Sequence, residues 1–318
     1  DEMPKNRPPL SDSEKQLLKD WILVGADWTL DEIDPAVYVH DGRAGKAWIQ
    51  RLTIDEYIET VRSAIGVNIE KEAREQLPPD LRADGFNNTA YNLGVDLKHV
   101  DAYSKLAGLI VSRMDVDKFT QRFSRSRRLI DDDNRDLISK MGRWVLRGPL
   151  DEAEIVSYRG IATTVASSGG SFTEAMSYIL EAMLQSPRFV YRIESQRGDG
   201  TVWPVSQHEL ASRLSYIIWG GPPDEALLKA ADEGRLDAKV TAAQADRMLK
   251  DPRAKRRSQQ FLSQWLNLGR LSNMKPDTKH FPNWDPRLAG DMRTETLAFF
   301  DEIVWTQNRP MSDLLNAQ

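Results

Sequence analysis

The stretch QRLTIDEYIETVRSAIG, residues 50–66, carries a helical period bounded by its own start and stop. Ile54, Tyr57, Ile58, Val61 and Ile65 fall at i, i+3, i+4, i+7 and i+11, one apolar stripe along one helix face. Thr53 and Glu56 have the capping-box spacing, in which a hydroxyl accepts from an orphan amide and a carboxylate reaches back. Gly66 ends the run. The same grammar recurs outward. Phe172, Ala175, Met176, Ile179, Leu180 and Met183 form a second stripe, and Leu210, Leu214, Ile217 and Ile218 a third. Ser11 with Glu14, Ser171 with Glu174, and Ser206 with Glu209 repeat the start signal. Gly25, the Ser186-Pro187 pair and Gly220-Gly221-Pro222-Pro223 supply stops. The spacing predicts helices over 12–25, 54–65, 97–113, 132–147, 151–167, 172–185, 207–219, 223–232, 241–250, 252–269 and 286–306, with a short one near 311–316. Alternation of period two is rare; residues 36–48 could hold a short hairpin around Asp41-Gly42. The expected fold class is all-α, built as several helical bundle-like domains.

The chain has 318 residues, more than one ordinary core accommodates at about 100–150 residues per domain. Its net charge of −5, from 43 Lys and Arg against 48 Asp and Glu, argues against a binder of nucleic acid. The absence of cysteine excludes disulfides, thiolate metal sites, thiol nucleophiles and covalent haem attachment within the chain. No apolar stretch approaches the ~20 residues of a membrane span. The sequence opens at Asp1 in a polar, Pro-rich run, which reads as a processed or truncated piece of a longer protein. Residues 27–50, 67–96 and 195–205 read as connections, the second long enough to suggest a functional or specifically packed loop.

Chemistry-bearing motifs are few. The run Asp131–Asp136 lacks the glycine and the closing glutamate of a calcium loop and reads as an acidic helix start. His40, His99, His208 and His280 show no metal-ligand spacing, and His208 falls in the first turn of a capped helix. Asp224-Glu225 and Asp301-Glu302 read as helix-surface or first-turn acids. The basic groups Arg122–Arg128 and Arg253–Arg257 could meet an acidic partner or form solvated helix faces. Trp219, Trp265 and Trp305 lie on apolar helix faces and are expected in the core, whereas Trp28, Trp48, Trp203 and Trp284 lie near loops and could form a sugar-stacking surface.

Several segments together resemble the planctomycete-type cytochrome-associated proteins, large exported bacterial proteins assembled from c-type cytochrome modules and helical domains of unknown function. QRLTIDEYIETVRSAIG from Gln50 with LPPDLRADGFNN from Leu77 resembles one such domain. RGPLDEAEI from Arg147 with SFTEAMSYILEAMLQSPRFVYRIE from Ser171 resembles a second. RLSYIIWGGPPDEALLKAADEGRL from Arg213, continuing to Ile303, resembles a third. EMPKNRPPLSDSEKQLLKDWILVGADW, at the start, resembles the end of a class I-like cytochrome c.

The resemblance implies four parts: residues 1–30 as the end of a cytochrome c-like domain, then helical domains over 50–113 (with the loop 67–96), 132–195 and 205–318. It implies Met3 as an axial haem ligand, with Leu17, Leu18, Trp21 and Ile22 as the packing face of the closing helix. Haem c would be bound through an upstream segment missing from this sequence. The expected partners are the c-type haem domains of the parent protein and an unknown redox partner, in an exported, periplasmic or cell-surface setting. The functional expectation is a helical scaffold or interaction portion of an exported cytochrome protein that supports electron transfer, with no catalytic residue assigned. The alternatives are an oxidoreductase or polysaccharide-active enzyme with its site in the 67–96 loop or among the loop tryptophans, or a carbohydrate-binding module.

Overall fold

The computed structural model describes residues 11–24, 47–82, 85–90, 93–129, 132–195, 204–277 and 279–315. The chain divides into two units, Asp1–Gly45 with Arg197–Val202, and Lys46–Gln196 with Trp203–Gln318. In the first, the described element is helix α1 (Asp12–Leu23), which opens with the complete Ser11–Glu14 capping box. Its apolar residues Leu17, Leu18, Trp21 and Ile22 are all exposed within that unit.

The second unit is mainly helical. Its elements run β1 (Ala47–Arg51), α2 (Ile54–Ala64), α3 (Glu70–Gln76), α4 (Leu97–Arg113), α5 (Val116–Thr120), α6 (Asp132–Val145), α7 (Glu152–Ser167), α8 (Phe172–Gln185), α9 (Pro187–Val190) and β2 (Tyr191–Ser195). They continue as α10 (Gln207–Trp219), α11 (Glu225–Asp232), α12 (Ala238–Leu249), α13 (Pro252–Trp265) and α14 (Pro286–Phe300). Helix α14 runs on into a π-helical turn, Asp301–Thr306.

Helix α8 is the centre of the larger core. Ala175, Met176, Ile179, Leu180, Met183 and Leu184 are fully buried, and α4, α5, α6 and α7 pack around it. Burial of such stripes, at roughly 25 cal/mol per Å² of apolar surface, is the main stabilising contribution. A second cluster surrounds α10, where Ala211 and Trp219 meet Leu227, Ala231, Leu236 and Met248. The close approach of α6 to the following loop needs a glycine. A Cβ at Gly142 would lie 2.7 Å from one methyl of buried Leu150 and closer still to the other. Gly142→Ala is therefore expected to destabilise the unit by about 1–3 kcal/mol, read as a lowered urea midpoint.

Most expected helices appear within a few residues of their predicted limits, because each stripe and cap was local. The differences have physical causes. Residues 70–76, expected as loop, form α3; its sequence EKEAREQ has no apolar period of its own, and it is held by the burial of Ala73 between buried Ile69 and Leu77 and by the ion pairs Arg74–Asp55 and Glu72–Arg113. The helix expected over 252–269 ends at Trp265, where Asn267 takes a left-handed φ of 52°. Ser171 caps α8 through the Glu174 amide without the reciprocal carboxylate bond. Two boxes that were not expected, Asp96–His99 and Asp151–Glu154, start α4 and α7. Of the hairpin expected near 36–48, most lies outside the described residues. Strand β1 pairs instead with distant β2, antiparallel, with Ile49 opposite Ile193.

Candidate functional site

A well-connected buried polar structure in the second unit is built around Arg147. Helix α6 closes with Leu146 N–H donating to Gly142 O at 2.7 Å and Gly148 N–H donating to Arg143 O at 3.0 Å. This geometry places Arg147 in the left-handed region, at φ 64°. Glycine is usual there, since a Cβ costs about 1–2 kcal/mol. The arginine side chain turns inward. Its guanidinium donates to Phe189 O at 3.1 Å, Tyr191 O at 2.7 Å and Tyr216 Oη at 3.1 Å, and also to Arg188 O. It thereby ties down the α9–β2 turn. Burial pushes the Arg147 pKa below that of an ordinary guanidinium, and the neighbouring Arg188 and Arg192 charges add to the effect.

Tyr216, on α10, passes the chain of bonds onward. Thr60 Oγ1 donates to Glu56 O at 2.6 Å, so the Tyr216 hydroxyl, 2.8 Å from Thr60 Oγ1, donates to it and accepts from Arg147. The Glu56 carboxylate then takes Arg257 of α13 at 2.9 Å and the Thr53 N–H at 3.1 Å. One buried polar chain thus joins α2, the end of α6, the α9–β2 turn, α10 and α13.

A cleft of about 500 Å³ lies beside this chain, with Arg147 in its lining. Its apolar wall includes Leu146, Pro149 and Ile193. Its polar groups are contributed by Arg188, Arg192, Glu194, His208 and Glu209. Most of these are engaged. Arg188 pairs with Glu154 at 2.6 Å, Glu194 accepts from Arg213 at 3.1 Å, and Glu209 accepts the Ser195 and Ser206 amides, each at 2.7 Å. Burial opposes the Glu209 charge, but those amides outweigh it and hold its pKa below the ordinary range. His208 Nε2 lies 2.8 Å from Asp232 Oδ1, and Arg143 Nε donates to Asp232 Oδ2 at 2.7 Å. Burial opposes the Asp232 charge as well, yet Arg143 and His208 keep its pKa below the usual carboxylate value.

The sign follows from that depressed value. Asp232 contributes stability that is present above the ordinary carboxylate pKa and is lost as pH falls through the folded-state value. Asp232→Asn should melt lower than the unaltered protein at pH 7, and the gap should narrow only as pH falls below the ordinary carboxylate value. A gap of constant size across a series of melts at different pH would contradict this role.

A second groove, of about 440 Å³, forms where the long loop reaches α13. Phe86 stacks on Phe261 with ring centres 5.7 Å apart, and Phe261 stacks on Trp265 at 6.3 Å. Asn87 Oδ1 accepts from Gln264 at 2.8 Å.

The residues singled out in the sequence disperse. Met3, His40, Trp28 and Trp203 lie outside the described residues. Trp48 sits on β1 with the Arg192 guanidinium 5.4 Å from its ring centre, and Trp284 is half-buried in the turn before α14. Trp219 is buried as expected, but Trp265 is 44% exposed, because α13 ends there with that face uncovered. His99 is buried in its capping box and His280 faces Asp277 at 3.0 Å. Among the described residues no group of three or more His, Cys, Asp or Glu could hold a metal ion.

In the first basic group Arg122, Arg125, Arg127 and Arg128 are exposed; in the second, Arg256 is exposed while Arg253 and Arg257 are half-buried. Arg122 lies 4.9 Å from the Trp144 ring centre, Arg127 pairs with Asp117, and Arg253 stacks 3.6 Å over Trp219. Asp224 caps α11 through the Leu227 amide with Glu225 in its first turn, and Asp301 and Glu302 lie in the first turn of the π-helical segment, Asp301 Oδ1 being buried. Arg147, Thr60 and Tyr216 were not singled out. The one local hint was an arginine, not a glycine, directly after an apolar helix run.

Three parts of this unit match family models. Residues 50–116 match PSD3: Protein of unknown function (DUF1587). Residues 133–194 match PSD5: Protein of unknown function (DUF1595), and residues 205–318 match PSD4: Protein of unknown function (DUF1592). No curated protein and no solved structure matches the chain. The Arg147–Tyr216–Thr60 chain of bonds draws one member from each matched segment.

Proposed function

We propose that the chain is the helical scaffold and interaction portion of an exported c-type cytochrome protein of the planctomycete-type cytochrome-associated kind, working at the periplasm or cell surface. In this reading residues 1–30 would close a cytochrome c-like domain, Met3 would help to hold its haem, which would supply the electron transfer, and this polypeptide would set distance and orientation. The observation that carries the reading is the buried polar chain across the three matched segments, which makes one framework of them. The exposed apolar face of α1 (Leu17, Leu18, Trp21 and Ile22) suits a helix that packs on a neighbouring domain.

The test is the absorption spectrum of the native assembly. Haem c bands are expected, and Met3→Ala should abolish the thioether-to-iron charge-transfer band while leaving the haem attached. A native assembly without haem would end this reading. One observation favours a second: the 67–96 loop supplies Phe86, Asn87 and Asn88 to the groove on α13, as a polysaccharide-active or carbohydrate-binding site would require. Saturable glycan binding lost in Gln264→Ala would support it, and an empty glycan array would remove it.

A further inference from the structure

The cleft beside Arg147 has an imbalance of charge that its own side chains do not resolve. Three arginines line it, Arg147, Arg188 and Arg192, against two carboxylates, Glu194 and Glu209. Arg188 has Glu154, and Glu194 is matched by Arg213. Among the described residues neither Arg147 nor Arg192 has a carboxylate at ion-pair distance. Arg147 spends its donors on main-chain carbonyls and the Tyr216 hydroxyl. Arg192 donates to Gln50 and lies 5.4 and 5.6 Å from the ring centres of Trp48 and Tyr216, while its Nε is buried with no hydrogen-bond partner. That nitrogen is closed to solvent, so what a ligand in the cleft can meet is the positive charge of Arg192 in the lining, which no carboxylate balances.

We propose that this cleft binds a small organic monocarboxylate, its carboxylate accepting from Arg192 and its body lying on Leu146, Pro149 and Ile193. Each part of the ligand class follows from the lining. The surplus is one positive charge, which one carboxylate balances. Glu194 and Glu209 stand in the same cleft and disfavour a doubly charged phosphate by like-charge repulsion. The volume of about 500 Å³ is in the range of small-molecule sites and far exceeds what a bare ion fills. The apolar wall asks for a hydrophobic body. This assignment stands whether or not the chain serves a haem domain.

The experiment is calorimetric titration of the whole chain with benzoate, with neutral benzamide and inorganic phosphate as parallel arms. Benzoate is expected to bind saturably and at least about tenfold more tightly than either control, since a charge-assisted hydrogen bond distinguishes it. Arg192→Met should weaken benzoate by about tenfold or more without changing the response to benzamide. Because Arg192 also packs on two rings, a second reading uses the unaltered protein: benzoate should shift the amide resonances of Gly148 and Ile193 in a saturable manner. Equal binding of benzoate and benzamide, phosphate binding as tightly as benzoate, or benzoate shifts confined to other parts of the chain would each overturn the assignment. So would benzoate affinity unchanged in a folded Arg192→Met.

Discussion

Asp80→Ala is expected to lower the unfolding free energy by about 3–5 kcal/mol, because it strands a buried guanidinium. Arg51 donates to Asp80 Oδ1 at 2.7 Å, and the two side chains are 2% and 4% exposed. The other carboxylate oxygen, Oδ2, accepts the Ile54 N–H at 2.7 Å and so helps to start α2. Burial pushes the Asp80 pKa up, and the Ile54 amide and Arg51 pull it back without overcoming burial. The pair therefore sits in a costly place, and its geometry matters more than its charge. It follows that replacing both partners with apolar residues, as in Arg51→Met with Asp80→Leu, should cost less than Asp80→Ala alone. Urea unfolding of the three proteins checks the order. An Asp80→Ala variant as stable as the unaltered chain would show that water reaches Arg51.

Arg147→Ala is the second large effect, with an expected loss of about 3 kcal/mol or more. It leaves the carbonyls of Arg188, Phe189 and Tyr191 without their donor and removes one partner of Tyr216. Arg147→Gly separates backbone from side chain. It loses the same hydrogen bonds but relieves the left-handed φ of 64°, so it should be more stable than Arg147→Ala by about 1 kcal/mol. If glycine restored full stability, the side-chain bonds would contribute nothing and the junction would be held by packing alone.

How far the sequence reaches is clear from individual residues. The stripes at Ile54–Ile65 and Phe172–Met183 and the boxes at Ser11, Thr53 and Ser206 depend on neighbours within a turn or two, and they appear as the period and the caps require. Helix α3 escaped because its seven residues have no period, and its stability comes from the side chains it happens to cover. Trp265 was misplaced for the complementary reason: an apolar helix face is buried only if something packs on it, and here its neighbours are Phe261 and solvent. The candidate cleft was not legible. Its lining comes from three separate stretches, and although the capping box at Ser206 placed His208 in a first helical turn, nothing local to Arg192 or Glu194 brings them to it.

The amino-acid order by itself determined the helical class, most helix limits and the caps, since these rest on interactions between residues close in the chain. Tertiary structure alone decided that β1 would pair with β2, that Thr60, Arg147 and Tyr216 would meet, and that Arg192 would be left with an unsatisfied donor beside a cleft. Those outcomes depend on which distant surfaces are brought together. The free energy that selects them is the burial of the apolar core, to which many helices contribute and which no single stretch encodes.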